Sequence, residues 1–313
     1  MPGSSSPQGG YRSGFVTIAG RPNTGKSTFL NRILGHKVAI VTHKPQTTRT
    51  RILGVLHQPL GQIVFLDTPG IHSPGPSRLH RAMVRTARDA CREVDLILYF
   101  VDLPRGLTGE DMDILNSLPV GRTPVFLVLN KMDRIAYQEL LPILARLEAH
   151  SQRFTRILPV SALNNENLDR LPGWILESLP PGPPYFPEGQ ISDQPETFII
   201  AEVIREKLFL SLHQELPYVL GVKVETFAER ADARGLWDVA AVIMVERESH
   251  KGIVIGKKGS VLKRVGTQAR TELERLLDLR MNLNLWVQVK DHWRENESLL
   301  RAMGYPEHLE TGD

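Results

Sequence analysis

Short apolar runs alternate with amphipathic stretches through the first half of the chain. The runs predicted to be strands are residues 15–19, 52–56, 62–66, 96–101, 125–129 and 157–160. Helical patterns lie between most of them. This alternation is typical of an α/β fold, in which helices cover both faces of a mostly parallel sheet.

The second half has a different pattern, and a proline-rich stretch separates the two. Residues 179–187 contain five prolines, which can neither continue a helix nor sit in a central strand. Beyond them, the pattern predicts a helix at 196–212, strands at 219–227 and 237–246, a glycine-flanked turn, a helix, a strand at 284–289 and a last helix. The predicted order is helix, strand, strand, helix, helix, strand. We therefore expect a tail at 1–12, a first domain at 13–179, a linker at 180–195 and a smaller α+β domain at 196–313.

Composition fits two ordinary globular domains. The chain has 313 residues, of which 41% are hydrophobic and 23% charged. Its longest apolar runs, such as 96–101 and 239–245, are far shorter than the roughly 18 residues of a membrane-spanning helix. Residues 1–13 are rich in Gly, Ser and Pro, so we expect a disordered tail and no signal peptide. The single cysteine, Cys91, fits a reducing compartment, and we expect a cytoplasmic protein.

Net charge is +3, but bulk charge does not nominate the second domain as a nucleic-acid binder. From Gln190 onward there are 17 Lys and Arg against 20 Asp and Glu. Local charge does nominate it, since residues 249–271 contain six basic side chains and no acid.

A phosphate-binding loop follows the first predicted strand and opens a helix. Successive N–H groups of such a loop surround the β-phosphate, the lysine reaches the β- and γ-phosphates, and the serine hydroxyl binds Mg²⁺. A glycine turn with an incidental lysine is the alternative, and this position after a strand makes it rare. The predicted loop residues are Gly20, Arg21, Pro22, Asn23, Thr24, Gly25, Lys26, Ser27 and Thr28.

Three further motifs lie at predicted strand ends, in the order expected of a guanine-nucleotide site. The first motif, which begins at Asp67, can hold Mg²⁺ and sense the γ-phosphate. The second motif carries Asp133, whose carboxylate can accept hydrogen bonds from guanine N1–H and the 2-amino group, a pair of donors that adenine lacks. The third can offer a backbone N–H to the guanine carbonyl. The residues are Asp67, Thr68, Pro69 and Gly70; Asn130, Lys131 and Asp133; and Ser161, Ala162 and Leu163.

The polar segment 43–49 lies between the first two motifs. We expect it to lie outside the core and to be a mobile segment that orders on γ-phosphate and Mg²⁺. Thr48 is the predicted second protein ligand of Mg²⁺ beside Ser27, with Asp67 acting through water; Thr47 is the alternative to Thr48, and an ordinary loop with two threonines remains open.

Hydrolysis is expected to be slow. Ile71 follows the Asp-Thr-Pro-Gly motif, where many GTPases carry a glutamine that orients the attacking water. We hypothesise that Asn23 holds a monovalent cation, K⁺. Lys26, Thr48 and Asn23 form the predicted catalytic set.

A second glycine loop precedes a helix in the second domain. It reads as the GXXG loop of a KH domain, whose glycines approach the phosphates of single-stranded RNA and which clamps about four nucleotides. A helix-turn-helix glycine turn is the alternative. The predicted RNA-binding residues are Ile253, Val254, Ile255, Gly256, Lys257, Lys258, Gly259 and Lys263. Trp237 and Trp286 are expected in the core rather than in base stacking.

These motifs together resemble the Era family of bacterial GTPases. The resemblance rests on residues 20–28, 46–49, 67–70, 130–133, 202–208, 215–218 and 256–259, and extends from Ser13 to Tyr305. It implies a Ras-like GTPase domain followed by a type II KH domain, GTP or GDP with Mg²⁺ as cofactors, and binding near the 3′ end of 16S ribosomal RNA during maturation of the 30S subunit. It also implies that the family shares the hydrophobic residue at Ile71.

Partners and competing functions follow from the same reading. We expect a monomer; the resemblance implies peripheral contact with the inner face of the cell membrane, which stays open because the sequence contains no clear amphipathic anchor. The favoured function is a GTP-gated RNA-binding assembly factor. A phosphoryl transferase acting on a small acceptor and a passive RNA-binding protein with a structural nucleotide site are the alternatives.

Overall fold

The computed structural model describes residues 10–44, 46–71, 78–118 and 123–305. The chain divides into two compact units. The first unit comprises the described residues of Met1–Val38, Arg51–His72 and Thr86–Asp193. The second unit comprises those of Ala39–Thr50, Ser73–Arg85 and Gln194–Asp313.

A six-stranded sheet forms the centre of the first unit. Its strands are β1 (Arg12–Gly20), β2 (Ile52–Gln58), β3 (Gly61–Asp67), β4 (Leu96–Asp102), β5 (Val125–Asn130) and β6 (Arg156–Val160), in the order β2-β3-β1-β4-β5-β6. Every neighbouring pair is parallel except the β2–β3 hairpin. All six predicted strands are confirmed, because continuous apolar runs such as β3 and β5 are buried along their whole length.

Helices connect these strands. They are α1 (Lys26–Leu34), α2 (Arg78–Asp89), α3 (Gly109–Ser117), α4 (Tyr137–Leu147) and α5 (Leu171–Ser178). The four predicted nucleotide motifs begin at or directly after the carboxyl ends of β1, β3, β5 and β6. These strands are parallel to one another, so their carboxyl ends share one edge of the sheet, where α/β folds bind ligands.

The proline-rich stretch packs on the first unit rather than forming a free linker. The Gln62 side-chain amide donates to Phe186 O at 2.8 Å and accepts from the N–H groups of Tyr185 and Phe186. Val55 N donates to Ile191 O at 2.7 Å. The division between the units therefore falls after residue 193, later than the predicted boundary.

The amino-terminal prediction differs from the structure at one position. Residues 1–9 of the predicted tail lie outside the described residues. Arg12, the last residue of that predicted tail, is the first residue of β1, because its N–H donates to Leu60 O at 3.1 Å.

The second unit is built on a three-stranded mixed sheet. Its elements are α6 (Glu196–Ser211), β7 (Gly221–Glu229), β8 (Leu236–Val245), α7 (Glu248–Ile255), α8 (Ser260–Leu277), β9 (Arg280–Val289) and α9 (Glu297–Ala302). The order β7-β8-β9 has an antiparallel first pair and a parallel second pair. Helices α7 and α8 supply the crossover that a parallel pair requires. The predicted element order is confirmed.

Two segments that the sequence placed in the first domain belong to the second unit. The start of α2 packs Leu79 and Met83 against Val242, Met244 and the fully buried Trp293. The polar segment before β2 also belongs here. Within the described part of the chain, no helix has both the length and the apolar character of a membrane span.

Candidate functional site

The phosphate-binding loop has the geometry that its glycines predict. Gly20 and Gly25 adopt φ angles of 134° and 95°. A Cβ would lie 2.4 Å from Phe100 O at Gly20 and 2.1 Å from Asn130 Nδ2 at Gly25. Only glycine suits both positions, and α1 then begins at Lys26.

Lys26 is buried at the mouth of this loop. Its Nζ donates to Gly20 O at 3.0 Å and to Arg21 O at 2.8 Å. Burial lowers its pKa to about 8, and the nearby Asp67 carboxylate partly opposes that shift. The ammonium is thus held by carbonyl oxygens where a phosphate would bind.

The residues predicted to hold Mg²⁺ in this unit are in contact with each other. Ser27 Oγ donates to Asp67 Oδ2 at 2.7 Å. A hydroxyl and a carboxylate oxygen are the hard donors that Mg²⁺ prefers, so the pair fits the ion.

The Asp-Thr-Pro-Gly motif is fixed against β1 and the phosphate loop. Thr68 Oγ1 donates to Ile18 O at 2.9 Å, and Ile71 N donates to Gly20 O at 3.1 Å. A Cβ on Gly70 would lie 2.6 Å from Pro22 N, so the backbones pack closely. Ile71 is 2% exposed and belongs to the core of the unit.

Asn130 braces two loops, a role that sequence reasoning missed. Its Nδ2 donates to Thr24 O at 2.8 Å, and its Oδ1 accepts from Ala162 N at 3.0 Å. Arg32, from the last turn of α1, donates to Leu163 O at 2.7 Å. The loops from three strands are therefore fastened together by side chains that need not touch the nucleotide.

The carboxylate of Asp133 is oriented by Ser161 of the last motif. Ser161 Oγ donates to Asp133 Oδ1 at 2.6 Å, while Lys131 pairs with Asp102 at 2.7 Å. Asp133 is thereby set as an acceptor next to the loop of Ala162. This arrangement can discriminate guanine from adenine.

Other predicted nucleotide-site residues have different surroundings. Arg21 directs its guanidinium to Glu110 at 2.9 Å and to Asp111 at 3.1 Å, so its contribution to the loop is its carbonyl oxygen. Asn23 is exposed, with φ 63°. Pro22 and Thr28 are half-buried.

The segment around Thr48 corrects one expectation. It was expected to be polar and outside the core, yet Thr48 and Arg49 are 7% and 2% exposed. Both lie in the second unit, unlike Ser27 and Asp67. Pro45 lies outside the described residues.

The GXXG loop joins α7 to α8 through three residues with positive φ angles. Gly256, Lys258 and Gly259 have φ angles of 73°, 52° and 76°. A Cβ on Gly256 would lie 2.5 Å from Val261 Cγ2, whereas Gly259 has open space. Lys257 and Lys258 are exposed.

A groove of about 410 Å³ continues from this loop between α8 and β9. It has basic side chains on one wall and apolar and amide side chains on the other. Its lining residues are Gly259, Leu262, Lys263, Gly266, Thr267, Arg270, Leu283, Asn284 and Leu285. Of these, only Gly259 and Lys263 were predicted, since β9 meets α8 through tertiary packing rather than through a local motif.

Burial corrects two assignments near the groove. Val254 is fully buried in the core, so it cannot line an RNA-facing floor, whereas Ile253 is 56% exposed and Ile255 half-buried. Trp286 is 52% exposed on β9 rather than in the core. Trp237 is half-buried and stacks on Phe227 with ring centroids 4.5 Å apart.

Comparison with known proteins agrees with both halves of this description. The family model described as a 50S ribosome-binding GTPase matches residues 15–131, and the KH domain model matches residues 215–294. GTPase Era of Geotalea uraniireducens (strain Rf4) is 50% identical over 295 residues, which cover 94% of this chain and 98% of that protein. The chain belongs to the Era family of GTPases.

Other Era proteins support the same assignment. GTPase Era of Ruminiclostridium cellulolyticum is 46% identical over 94% of this chain and 98% of its own length. A crystal structure of Era in complex with MgGDPNP and nucleotides 1506–1542 of 16S ribosomal RNA has a TM-score of 0.91 at 39% identity, covering 94% of this chain and 99% of that one. An Aquifex aeolicus Era variant bound to GDP·AlF4⁻ gives 0.90 at 39% identity over the same shares. The predicted family and the predicted pair of domains are confirmed.

Proposed function

We propose that this protein is a GTP-hydrolysing switch that binds the 3′ region of 16S ribosomal RNA and assists assembly and maturation of the 30S subunit. The observation that carries the proposal is the joint presence of two sites on one chain. One is the site in which Ser161 orients the guanine-reading Asp133; the other is a GXXG loop that opens into a basic groove. The Era structure holding both MgGDPNP and 16S ribosomal RNA nucleotides supports the pairing of these ligands.

The nucleotide chemistry follows from the residues of the first unit. Lys26 and the loop N–H groups bind the phosphates, and Ser27 and Asp67 would hold Mg²⁺, which neutralises charge on the phosphates when bound. The role of Thr48, a residue of the second unit, as a further ligand stays a prediction. Asn130 holds the phosphate loop and the loop after β6 together through Thr24 and Ala162, and Asp133 selects guanine. The proposed GTPase domain begins at residue 13 and the proposed RNA-binding domain at residue 196, and residues 180–193, predicted as a linker, pack on the first unit.

The side chain after the Asp-Thr-Pro-Gly motif cannot assist the attacking water. Ile71 has no polar group and is buried in the core. Intrinsic GTP hydrolysis is therefore slow, and we assign Asn23 to a K⁺ ion that supplies charge near the β- and γ-phosphates. Equal turnover in K⁺ and Na⁺ would contradict that role.

The RNA chemistry follows from the second unit. The two loop glycines allow close approach of phosphates, and Lys257, Lys258 and Lys263 attract them. Leu283 and Leu285 offer apolar surface for bases, while Asn284 offers hydrogen bonds. Single-stranded RNA of about four nucleotides suits such a groove.

The two alternative functions predict different results. A phosphoryl transferase would need an acceptor, so GTP hydrolysis without one excludes it. A passive RNA-binding protein would tolerate loss of the phosphate lysine, and full activity of Lys26→Ala in subunit maturation would favour it. We place the protein in the cytoplasm as a monomer; peripheral contact with the inner face of the membrane remains an expectation from the family alone.

The test measures GTP turnover and the binding of a fluorescent single strand carrying the 3′ end of 16S ribosomal RNA. Binding is compared in GDP and in a non-hydrolysable GTP analogue. In Gly256→Asp we expect at least about a tenfold rise in Kd, or about 1.4 kcal/mol, because the crowded position, with its positive φ, admits no side chain and the added charge repels phosphate.

Gly235→Asp is the matched control. Gly235 also has a positive φ, 80°, but lies in open space in the turn before β8. The Gly235→Asp variant should bind RNA with the same Kd as the wild type. Absence of RNA binding by the wild type would refute the RNA function, and identical binding in both nucleotides would refute the switch.

A further inference from the structure

A buried carboxylate lies behind the phosphate-binding loop, within the first unit. Asp111, in the first turn of α3, is fully buried, and its Oδ2 accepts from the N–H and the hydroxyl of Thr108 at 3.0 Å and 2.6 Å. Its Oδ1 accepts from the Tyr99 hydroxyl of β4 at 3.2 Å. Both oxygens are therefore held from two directions. A buried polar group with this many partners is rigidly placed.

Arg21 of the phosphate-binding loop pairs with this carboxylate. Its Nε lies 3.1 Å from Asp111 Oδ1, and its Nη1 donates to Glu110 Oε2 at 2.9 Å. The side chains of Arg21 and Asp111 are 12% and 0% exposed, whereas that of Glu110 is 56% exposed. Water screens the exposed pair much more than the buried one. Asp111 is therefore the stronger partner of Arg21.

The backbone carbonyl of the same arginine belongs to the phosphate site. It accepts from Lys26 Nζ at 2.8 Å and from Thr24 Oγ1 at 2.9 Å. Arg21 thus has its side chain on α3 and its carbonyl oxygen on the ammonium that binds phosphate. A change in the position of this carbonyl changes the direction in which the ammonium points.

The two carbonyls that hold Lys26 are restrained in different ways. Gly20 O also accepts from Ile71 N at 3.1 Å, which ties it to the Asp-Thr-Pro-Gly motif. Arg21 is tied to α3 through its side chain. Pro22 follows it and confines it to extended backbone angles. Because the backbone range of Arg21 is narrow, displacement of its side chain moves its carbonyl as well.

We propose that Asp111 and Arg21 are positioning residues, whose buried pair orients Lys26 towards the β-phosphate. The inference rests on the proposed function, since it concerns the nucleotide site of the switch. Neither of the two side chains has to touch the nucleotide. The pair also engages the Arg21 guanidinium on α3, so the charge that meets the β-phosphate is that of Lys26.

The test is the ratio of the dissociation constants of GMP and GDP, measured by competition on the full chain. GMP lacks the β-phosphate that Lys26 reaches, so the ratio isolates this contact. In Asp111→Asn and in Arg21→Met we expect the ratio to fall at least about tenfold, with the Kd of GMP unchanged. The double variant should lose no more than the larger single loss, because the two residues act as one pair.

Two matched controls separate positioning from loss of charge and from loss of stability. Glu110→Gln removes the exposed partner of the same arginine, and its ratio should stay within about twofold of the wild-type value. Thr108→Ala removes the side-chain cap of α3 beside Asp111. It should lower the midpoint of urea denaturation and leave the ratio unchanged.

Three results would contradict the proposal. Wild-type ratios in both Asp111→Asn and Arg21→Met would overturn the pair while leaving the proposed function standing. Tighter GDP binding by Asp111→Asn would also overturn it, since the carboxylate would then restrain Arg21 from binding phosphate instead of orienting Lys26. A wild-type protein that binds GMP as tightly as GDP would overturn both the proposed phosphate site and the pair.

Discussion

At the scale of single residues, Lys26 determines how nucleotide binding depends on pH. Its ammonium is surrounded by protein and held by two carbonyls, and burial lowers its pKa to about 8. A lowered lysine pKa means that the neutral amine is populated in the free protein above that pH. Phosphate oxygens favour the charged form, so binding must restore the proton.

We predict that GDP binding takes up a proton above pH 8. The affinity for GDP has its full value below about pH 8, where Lys26 is already charged. It falls as the pH rises above that value, because each binding event then requires protonation of Lys26. Isothermal titration in buffers of different ionisation enthalpy should give more than about half a proton taken up at pH 8.8. Lys26→Arg stays charged and should lose this increase. The same proton uptake at pH 8.8 in wild type and Lys26→Arg would contradict the assignment.

Sequence reasoning at this scale identified the residue types but not all of their roles. Gly20, Lys26, Ser27 and Asp67 lie where a local motif places them. Asn130 could not be recognised as a brace, because its partners lie more than 30 residues away in both directions. The partners of a side chain depend on tertiary packing, which a motif does not encode.

At the scale of elements, the carboxyl end of helix α8 is capped by Asp278, a residue type that the left-handed cap conformation disfavours. Asp278 has φ 51° and ψ 46° and follows the last residue of the helix, with its N–H donating to Glu274 O. Left-handed caps favour glycine, and the carboxyl end of a helix disfavours negative charge. Both effects act at one position.

Asp278→Gly should therefore raise the free energy of unfolding by about 0.5–1.5 kcal/mol. Asp278→Asn removes only the charge, so it should recover a few tenths of a kcal/mol. Urea denaturation of the two variants and the wild type, followed by tryptophan fluorescence, checks the order. A neutral or destabilising Asp278→Gly would show that the side chain has a stabilising contact that outweighs the cap.

The elements themselves were largely predictable, and for physical reasons. Strands such as β3 and β5 are continuous apolar runs because both faces of a parallel sheet are buried. Strand β9 was predicted only from residue 284 onward, yet it begins at Arg280. Its first half alternates polar and apolar residues, which is itself the pattern of a half-buried strand, but its pairing with β8 is a contact that local pattern does not reveal.

At the scale of the whole molecule, the assignment of segments to units was not predictable. Residues 39–50 and 78–85 precede or follow strands of the first unit, and chain order alone placed them there. Buried contacts of Arg49 and of Leu79 and Met83 place them in the second unit instead. An arginine in a polar segment reads as solvated, and only the carbonyls it finds in the folded chain make it a core residue.

The proline-rich stretch has a consequence for solubility during synthesis. Strand β2 is at the edge of its sheet, and residues 190–192 lie along it: Ile191 O accepts from Val55 N, and Ser192 Oγ donates to Leu53 O at 2.7 Å. An uncovered edge strand recruits strands of other molecules, and the nearby prolines cannot extend the ladder.

A fragment of residues 13–179 should therefore self-associate, whereas 13–193 should stay monomeric in light scattering after gel filtration; equal behaviour would show that the cover is dispensable. The chain emerges from the ribosome amino end first, so all six strands are synthesised before the segment that shields β2. A nascent chain therefore passes through an interval in which its six-stranded sheet is complete but the edge strand β2 is uncovered and can pair with other molecules. That interval ends only when residue 192 has been synthesised.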